Sequence, residues 1–281
     1  MTKVGFAFVD VKTSWNKLTY QQKVDIVKIS DFIDYNFSFG NEKEIVDLCT
    51  EYKTELRGHT WFGIQDKSGK SIVTDQYVID HAIKCANWCN KYNLSLWSLN
   101  AESGIWRGPL TLLGKKTCNP KAKYFIQLFV KTFRMYTKCK LGYVGYVDPN
   151  YYYPKDPNGK ITLDIVELFD IVCPMIYQND PKTLTSKLEK TEELWPGLDI
   201  NAYVGPGRIS DGSVIGNAKF WKDKAINEEI QELSFYIGNE QKNNTDLDDP
   251  YWMLFHGHSR HQSLYLLVQE IKKEQETRNC A

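Results

Sequence analysis

Little in this chain is present in excess. Lys plus Arg and Asp plus Glu each total 35 in 281 residues, so the formal net charge is zero. No block of basic residues marks a nucleic-acid or anionic-membrane surface. Long hydrophobic runs are missing too. The amino terminus, MTKVGFAFVDVKTSW, meets Asp10 after a short apolar stretch, and nothing approaches the roughly 20 apolar residues of a membrane span. The expectation is synthesis in the cytoplasm without a signal peptide and without membrane insertion. Paired C-x-x-C spacings are absent among the seven cysteines. Cys85 and Cys89 lie one helical turn apart, which could suggest a metal or redox pair but reads better as buried apolar filler with reduced thiols. No Gly-x-Gly-x-x-Gly follows the first apolar run, where VDVKTSW stands instead, so a dinucleotide site loses its main support and no cofactor is expected.

What is present is a regular beat. With 42% hydrophobic and 25% charged residues the chain has the make-up of a soluble globular protein, long enough for one large barrel or two smaller domains. Short apolar runs alternate with amphipathic segments, the pattern of βαβ units around a parallel sheet. Strands are expected at 4–11, 30–39, 56–64, 94–102, 141–148, 169–177, 198–205 and 251–257. Helices are expected at 19–29, 41–54, 74–92, 120–138, 162–169, 182–195, 227–238 and 260–275. Eight such pairs fit a single-domain (β/α)8 TIM barrel over residues 1–281 better than an open sheet. Long insertions follow the fourth, fifth and seventh strands, whereas most joins before strands are short; barrel enzymes elaborate the same end. The polar run 239–250 is read as a surface loop before the eighth strand.

On this reading the strand ends carry a polar ring: Asp10, Asp34 or Asn36, Gln65 and Asp66, Asn100 and Glu102, Asp148, Tyr177 and Gln178, Arg208, and His256. Near the same ends stand Trp15, Trp61, Trp106, the run Tyr151 to Tyr153, Trp221 and Trp252. Aromatic faces stack on sugar rings, although about half of these rings are expected to fill the core instead. Carboxylates beside aromatic platforms at one barrel mouth suggest glycoside hydrolysis, in which one acid protonates the leaving oxygen and a second group stabilises the oxocarbenium-like carbon. Glu102 is the preferred acid, because Trp97, Ile105 and Trp106 around it would raise its pKa by desolvation. Asp10 and Asp148 are the candidates for a second carboxylate. Trp61, Trp106, Tyr152, Gln178, Arg208, Trp252 and His256 are the candidate sugar contacts, with loops after strands four, five and seven forming an extended cleft for a polymer.

The stretch LNAE, Leu99 to Glu102, resembles the catalytic strand of barrel glycosidases that cut beside N-acetylglucosamine: family 18 chitinases end it on Asp-x-Glu and family 85 endoglycosidases on Asn-x-Glu. FDIVCPMIYQ resembles the sixth strand of family 18, with Met175 and Tyr177 matching its Met-x-Tyr, and RGHTWFG resembles more faintly the third strand of family 25 lysozymes. The resemblance implies a substrate-assisted mechanism on a peptidoglycan- or chitin-like polysaccharide, with Glu102 as general acid and Asn100 and Tyr177 holding the acetamido group that acts as internal nucleophile. The acidic run of family 18 is replaced here by Ser95, Ser98 and Asn100. Independently of any family, an amide at Asn100 can hydrogen-bond an acetamido group without repelling the nearby acid. It could equally be a turn residue.

Two other readings stay open. His256, His258 and His261 could ligate zinc in a metal-dependent hydrolase, but no other histidine is expected at a strand end, and no metal site is assigned. Alternatively, the barrel is a catalytically inactive carbohydrate-binding or structural component, for instance of a phage particle, since fold does not guarantee activity. Action on an extracellular or cell-wall glycan would follow lysis or come as part of a viral or secreted assembly.

Overall fold

In a computed structural model of the chain, the described residues are 1–9, 11–12, 14–40, 42–64, 66–67, 71–101, 107–110, 116–146, 165–176, 181–204, 213–237 and 264–279. Eight parallel strands close into a barrel in the order β1 (Lys3–Phe8), β10 (Glu232–Ile237), β9 (Asp199–Val204), β8 (Ile171–Ile176), β7 (Lys140–Tyr146), β4 (Leu96–Asn100), β3 (Glu55–Trp61) and β2 (Phe32–Asn36). Two further short strands, β5 (Arg107–Leu110) and β6 (Lys116–Cys118), pair antiparallel within the insertion after β4. The helices are α1 (Tyr20–Ile29), α2 (Glu42–Tyr52), α3 (Asp75–Tyr92), α4 (Ala122–Tyr136), α5 (Pro181–Leu194), α6 (Ser213–Ile226) and α7 (Leu264–Asn279). Among the described residues no helix is long and apolar enough to cross a membrane.

Local chemistry explains the boundaries. Thr19 and Gln22 form a reciprocal capping box that starts α1, with Thr19 N–H donating to Gln22 Oε1 at 2.7 Å. Thr74 caps α3, and Asn93 ends it in the left-handed conformation that asparagine tolerates better than most residues. In α4, Phe125, Ile126, Phe129, Val130 and Phe133 are all buried, a stripe at the 3.6-residue period.

The chain forms two compact units. In the first, Met1–Arg57 with Ile176–Glu189 and Asp199–Ala281, Trp15 packs edge-on against Phe8 at 5.0 Å and Tyr35 at 6.2 Å. Its indole N–H donates to Glu44, which also pairs with Lys23. Gly5 in β1 stands opposite Phe32, where a Cβ would lie 2.2 Å from the Phe32 carbonyl oxygen, so no side chain fits there. In the second unit, Gly58–Met175 with Lys190–Leu198, Phe62, Tyr77, His81 and Phe129 form one aromatic stack. Trp97 of β4 lies parallel to Trp88 of α3 at 5.8 Å. Tyr143, Phe169 and Trp195 make a second ring cluster.

Several sequence expectations are corrected. The eighth barrel strand is 232–237, inside the segment 227–238 read as a helix: all six of its residues pair with β1 and four with β9. The segment 251–257 is therefore not the closing strand, and the polar run 239–250 follows that strand instead of preceding it. The helix α6 occupies part of what reads as insertion after the seventh strand, and the helix expected over 162–169 is, in its described part, a 3-10 turn at Val166–Leu168.

Candidate active site

At the carboxyl ends of β3 and β4, Trp61 and Asn100 are register partners on adjacent strands. Trp61 is 42% exposed, whereas Asn100 is 2% exposed. The backbone ties the strand exits together: Phe62 N–H donates to Asn100 O at 2.8 Å, and Ala101 N–H donates to Val144 O at 3.2 Å. The chain is thus held against β7 through the residue before Glu102. Alternation along β4 sends Trp97 to the helix layer, where it meets Trp88, and gives Ser98 and Asn100 the opposite, interior face. An exposed indole beside a buried amide can do two things to a sugar: stack on a ring face and hydrogen-bond a substituent.

Beneath Trp61 on the same strand lies His59, its ring edge-on to the indole at 6.4 Å. Burial pushes its imidazole down to about 3. It stays neutral at ordinary pH and cannot serve there as a cationic acid.

The interior face of the first unit is unusually polar for a barrel, where branched aliphatic residues normally dominate. Arg57 of β3 is 2% exposed and donates to Glu232 of β10 through both terminal nitrogens, at 2.6 and 2.8 Å, and through Nε to Glu55 at 2.9 Å. Its guanidinium lies 3.7 Å from the centroid of Phe32. This bidentate, charge-assisted geometry offsets the desolvation of the buried ions. Asp34 of β2 reaches past β1 to accept a hydrogen bond from Ser234 Oγ of β10 at 2.8 Å. Gly5 and Ala7, the β1 residues aligned with Ser234, Phe32 and Asp34, leave that path clear. Burial raises Asp34 to about 6, opposed by Arg57 and by the Ser234 and Tyr203 hydroxyls. Its other oxygen, and both ends of the fully buried Asn201 amide, have no hydrogen-bond partner among the described residues. At the end of β2, Asn36 donates to Val9 O at 2.9 Å and accepts from Ser38 N–H at 2.9 Å, fixing the strand exit just before Asp10.

Among the candidate site residues, Asn100 and Trp61 stand at strand ends as expected. Asp34 does not stand at a strand end: it is 1% exposed inside the barrel, and its role there is with Ser234 and Arg57. Asp66 is exposed. Trp15 and Trp221 are fully buried and belong to the packing, not to a cleft; Trp221 sits in α6 with its ring edge-on to Phe220. Asp10, Gln65, Glu102, Trp106, Asp148, Tyr151 to Tyr153, Tyr177, Gln178, Arg208, Trp252, His256, His258 and His261 lie outside the described residues. Met175, two residues before Tyr177, is buried. Among the described residues no group of three or more His, Cys, Asp or Glu side chains could hold a metal ion. Sequence reasoning missed Arg57 and Glu232, and the available signal was a charged residue inside each of two apolar runs, LRGHTW and ELSFYI.

No protein-family model and no curated protein sequence matches the chain. Solved structures do. A β-mannanase from Streptomyces thermolilacinus with mannohexaose superposes with a TM-score of 0.56 at 13% identity, covering 95% of this chain and 93% of that one. A xylanase from Cellvibrio japonicus in complex with xylopentaose gives a TM-score of 0.59 at 15% identity, covering 98% of this chain and 68% of the xylanase. An intracellular xylanase from Thermoanaerobacterium saccharolyticum gives 0.54 at 17% identity, over 84% and 85% of the two chains. At these identities the likeness is one of fold, and the fold is the (β/α)8 barrel.

Proposed function

We propose that the chain is a glycoside hydrolase that cuts within a polysaccharide, with Glu102 as the general acid. One observation carries the reading: an exposed Trp61 and a buried Asn100 are register partners at neighbouring strand exits, and the strand hydrogen bonding continues to Ala101, the residue before Glu102. Asn100 and Glu102 are two apart in sequence, a spacing that would put them on one face if the chain continued extended. The named activities of the mannanase and xylanases that share the fold support polysaccharide cleavage as the class. The finer assignment, an N-acetylated sugar at the cleavage point, rests on the Asn100 amide and on the Asn-Ala-Glu spacing.

The test is a reducing-end release assay on peptidoglycan, chitin oligomers, N-glycans, mannan and xylan. It is run on the wild type beside Glu102→Gln and Asn100→Ala. Glu102→Gln keeps the shape and removes the acid, so kcat should fall by about two to four orders of magnitude while oligosaccharide binding persists. Asn100→Ala should impair cleavage of substrates with a 2-acetamido group far more than of those with a hydroxyl there. Equal losses on both would remove the acetamido assignment and leave a glycosidase. No release from any of the five would remove the enzyme reading itself.

A further inference from the structure

The second unit contains a pair of thiols that the candidate site does not use. Cys89 lies in the last turn of α3 and Cys139 immediately before β7, and both are buried, at 2% and 8% exposure. Four contacts hold their segments side by side or fix the turn beside each cysteine. Asn93 turns the chain at the end of α3 so that Leu94 N–H donates back to Cys89 O at 3.0 Å. Lys140 N–H donates to Ser95 O at 3.2 Å, aligning the approach to β7 with the approach to β4. Asn90 Nδ2, next to Cys89, donates to Tyr136 O at 2.8 Å, and Cys139 N–H donates to Thr137 Oγ1 at 3.2 Å, so the turn that presents Cys139 is itself held. Cys139 comes first among the causes that push the Cys89 thiol up, ahead of burial. Both thiols are free in this structure.

We propose that Cys89 and Cys139 are a disulfide-forming pair, reduced here and linked by mild oxidation, and that the bond staples the end of α3 to the entry of β7. Cys85, one turn back on the same helix, is not the partner; it faces Thr60 at 3.8 Å and lies wholly inside the core. With a small disulfide such as oxidised glutathione as oxidant, the Cys139 thiolate, the less buried of the two, attacks one glutathione sulfur. One glutathione thiol leaves and a mixed disulfide remains. The Cys89 thiolate then attacks the Cys139 sulfur, the protein disulfide forms, and the second glutathione leaves. The two thiol protons end on the two departing glutathione sulfurs, the protein dithiol is oxidised by two electrons, and one glutathione disulfide is reduced to two thiols. The neighbouring Cys139 thiol and burial both disfavour the Cys89 thiolate, so the closing step is slow at neutral pH and accelerates at alkaline pH.

The experiment uses the whole chain, folded by circular dichroism, incubated with oxidised glutathione at mildly alkaline pH, alkylated and digested. Mass spectrometry should find the Cys89 and Cys139 peptides joined, with loss of two hydrogens. The oxidised protein should unfold a few degrees above the reduced one, because the bond closes a long loop in the unfolded chain, and dithiothreitol should reverse the shift. In Cys139→Ser, Cys89 should remain alkylatable after the same treatment. A Cys85–Cys89 linkage in the wild type overturns the proposal. So does a folded protein in which Cys89 stays a free thiol or stops at the glutathione adduct.

Discussion

Replacing Asp34 by Asn isolates the raised carboxyl inside the barrel. Burial holds the Asp34 carboxyl at about 6 against an ordinary 3.8, despite Arg57 and two hydroxyls pulling it down. Because the folded-state value is raised, the folded chain binds the proton more tightly than the unfolded chain. The stabilisation is complete below the unfolded value, near pH 4, and is lost as pH rises through 6. A shift of about two units corresponds to about 3 kcal/mol in full, of which about 2 kcal/mol falls between pH 4.5 and 7.5. Asparagine is neutral at every pH and can keep an acceptor on Ser234, so it removes this dependence. Its new amide donor would face the position of the unpartnered Asp34 oxygen, at a cost of about 1 to 3 kcal/mol that does not vary with pH. The change in the stability difference with pH is therefore the quantity to measure. His59 at about 3 and His81 at about 4 are depressed by burial, so each removes stability as pH falls below 6.5; they do so equally in both proteins and cancel. Urea unfolding at several pH values from 4.5 to 7.5, followed by tryptophan fluorescence and circular dichroism with coincident transitions, gives the difference directly. Asp34→Asn should gain on the wild type by about 2 kcal/mol as pH rises across that range. A difference that stays flat, or falls, refutes the assignment of a protonated interior carboxyl.

Two further outcomes follow from the same geometry. Arg57→Met strands Glu232 and Asp34 without their counter-charge and should cost about 3 to 5 kcal/mol. Adding Glu232→Gln to it should recover part of that loss in denaturant unfolding, and a second substitution that only adds to the damage would show that packing against Phe32 matters more than charge. Trp61→Ala should leave the unfolding midpoint within about 0.5 kcal/mol, since the ring is exposed. It should weaken oligosaccharide binding, measured by calorimetry, by about 1 kcal/mol; unchanged affinity would remove Trp61 from the sugar path.

A strand whose interior face is apolar or small is the plainest to read in the sequence. In β1, Val4, Phe6 and Phe8 alternate with Gly5 and Ala7, and the run reads as a buried strand without ambiguity. In β10 the interior face carries Glu232 and Ser234, and the apolar residues described as buried, Leu233 and Phe235, lie on the helix-facing side. Preceded by Asn227, Glu228 and Glu229, that sparse pattern imitates the acidic start and loose spacing of a helix, and the strand is misread for that reason. The same polar interior limits what can be foreseen of the site. The positions of Trp61 and Asn100 at strand ends could be read because each closes its strand, where a polar or aromatic residue stands out locally. Asp34 and Arg57 lie far along the chain from Glu232 and Ser234 and meet them only when β10 pairs with β1 and closes the barrel. Loop closure of that kind leaves no local periodicity to read. A charged residue within a buried strand is the one trace it leaves, and here that trace is doubled: Arg57 in β3 and Glu232 in β10 are opposite in sign, which is what two interior strands must show if the charges on them are to be paired.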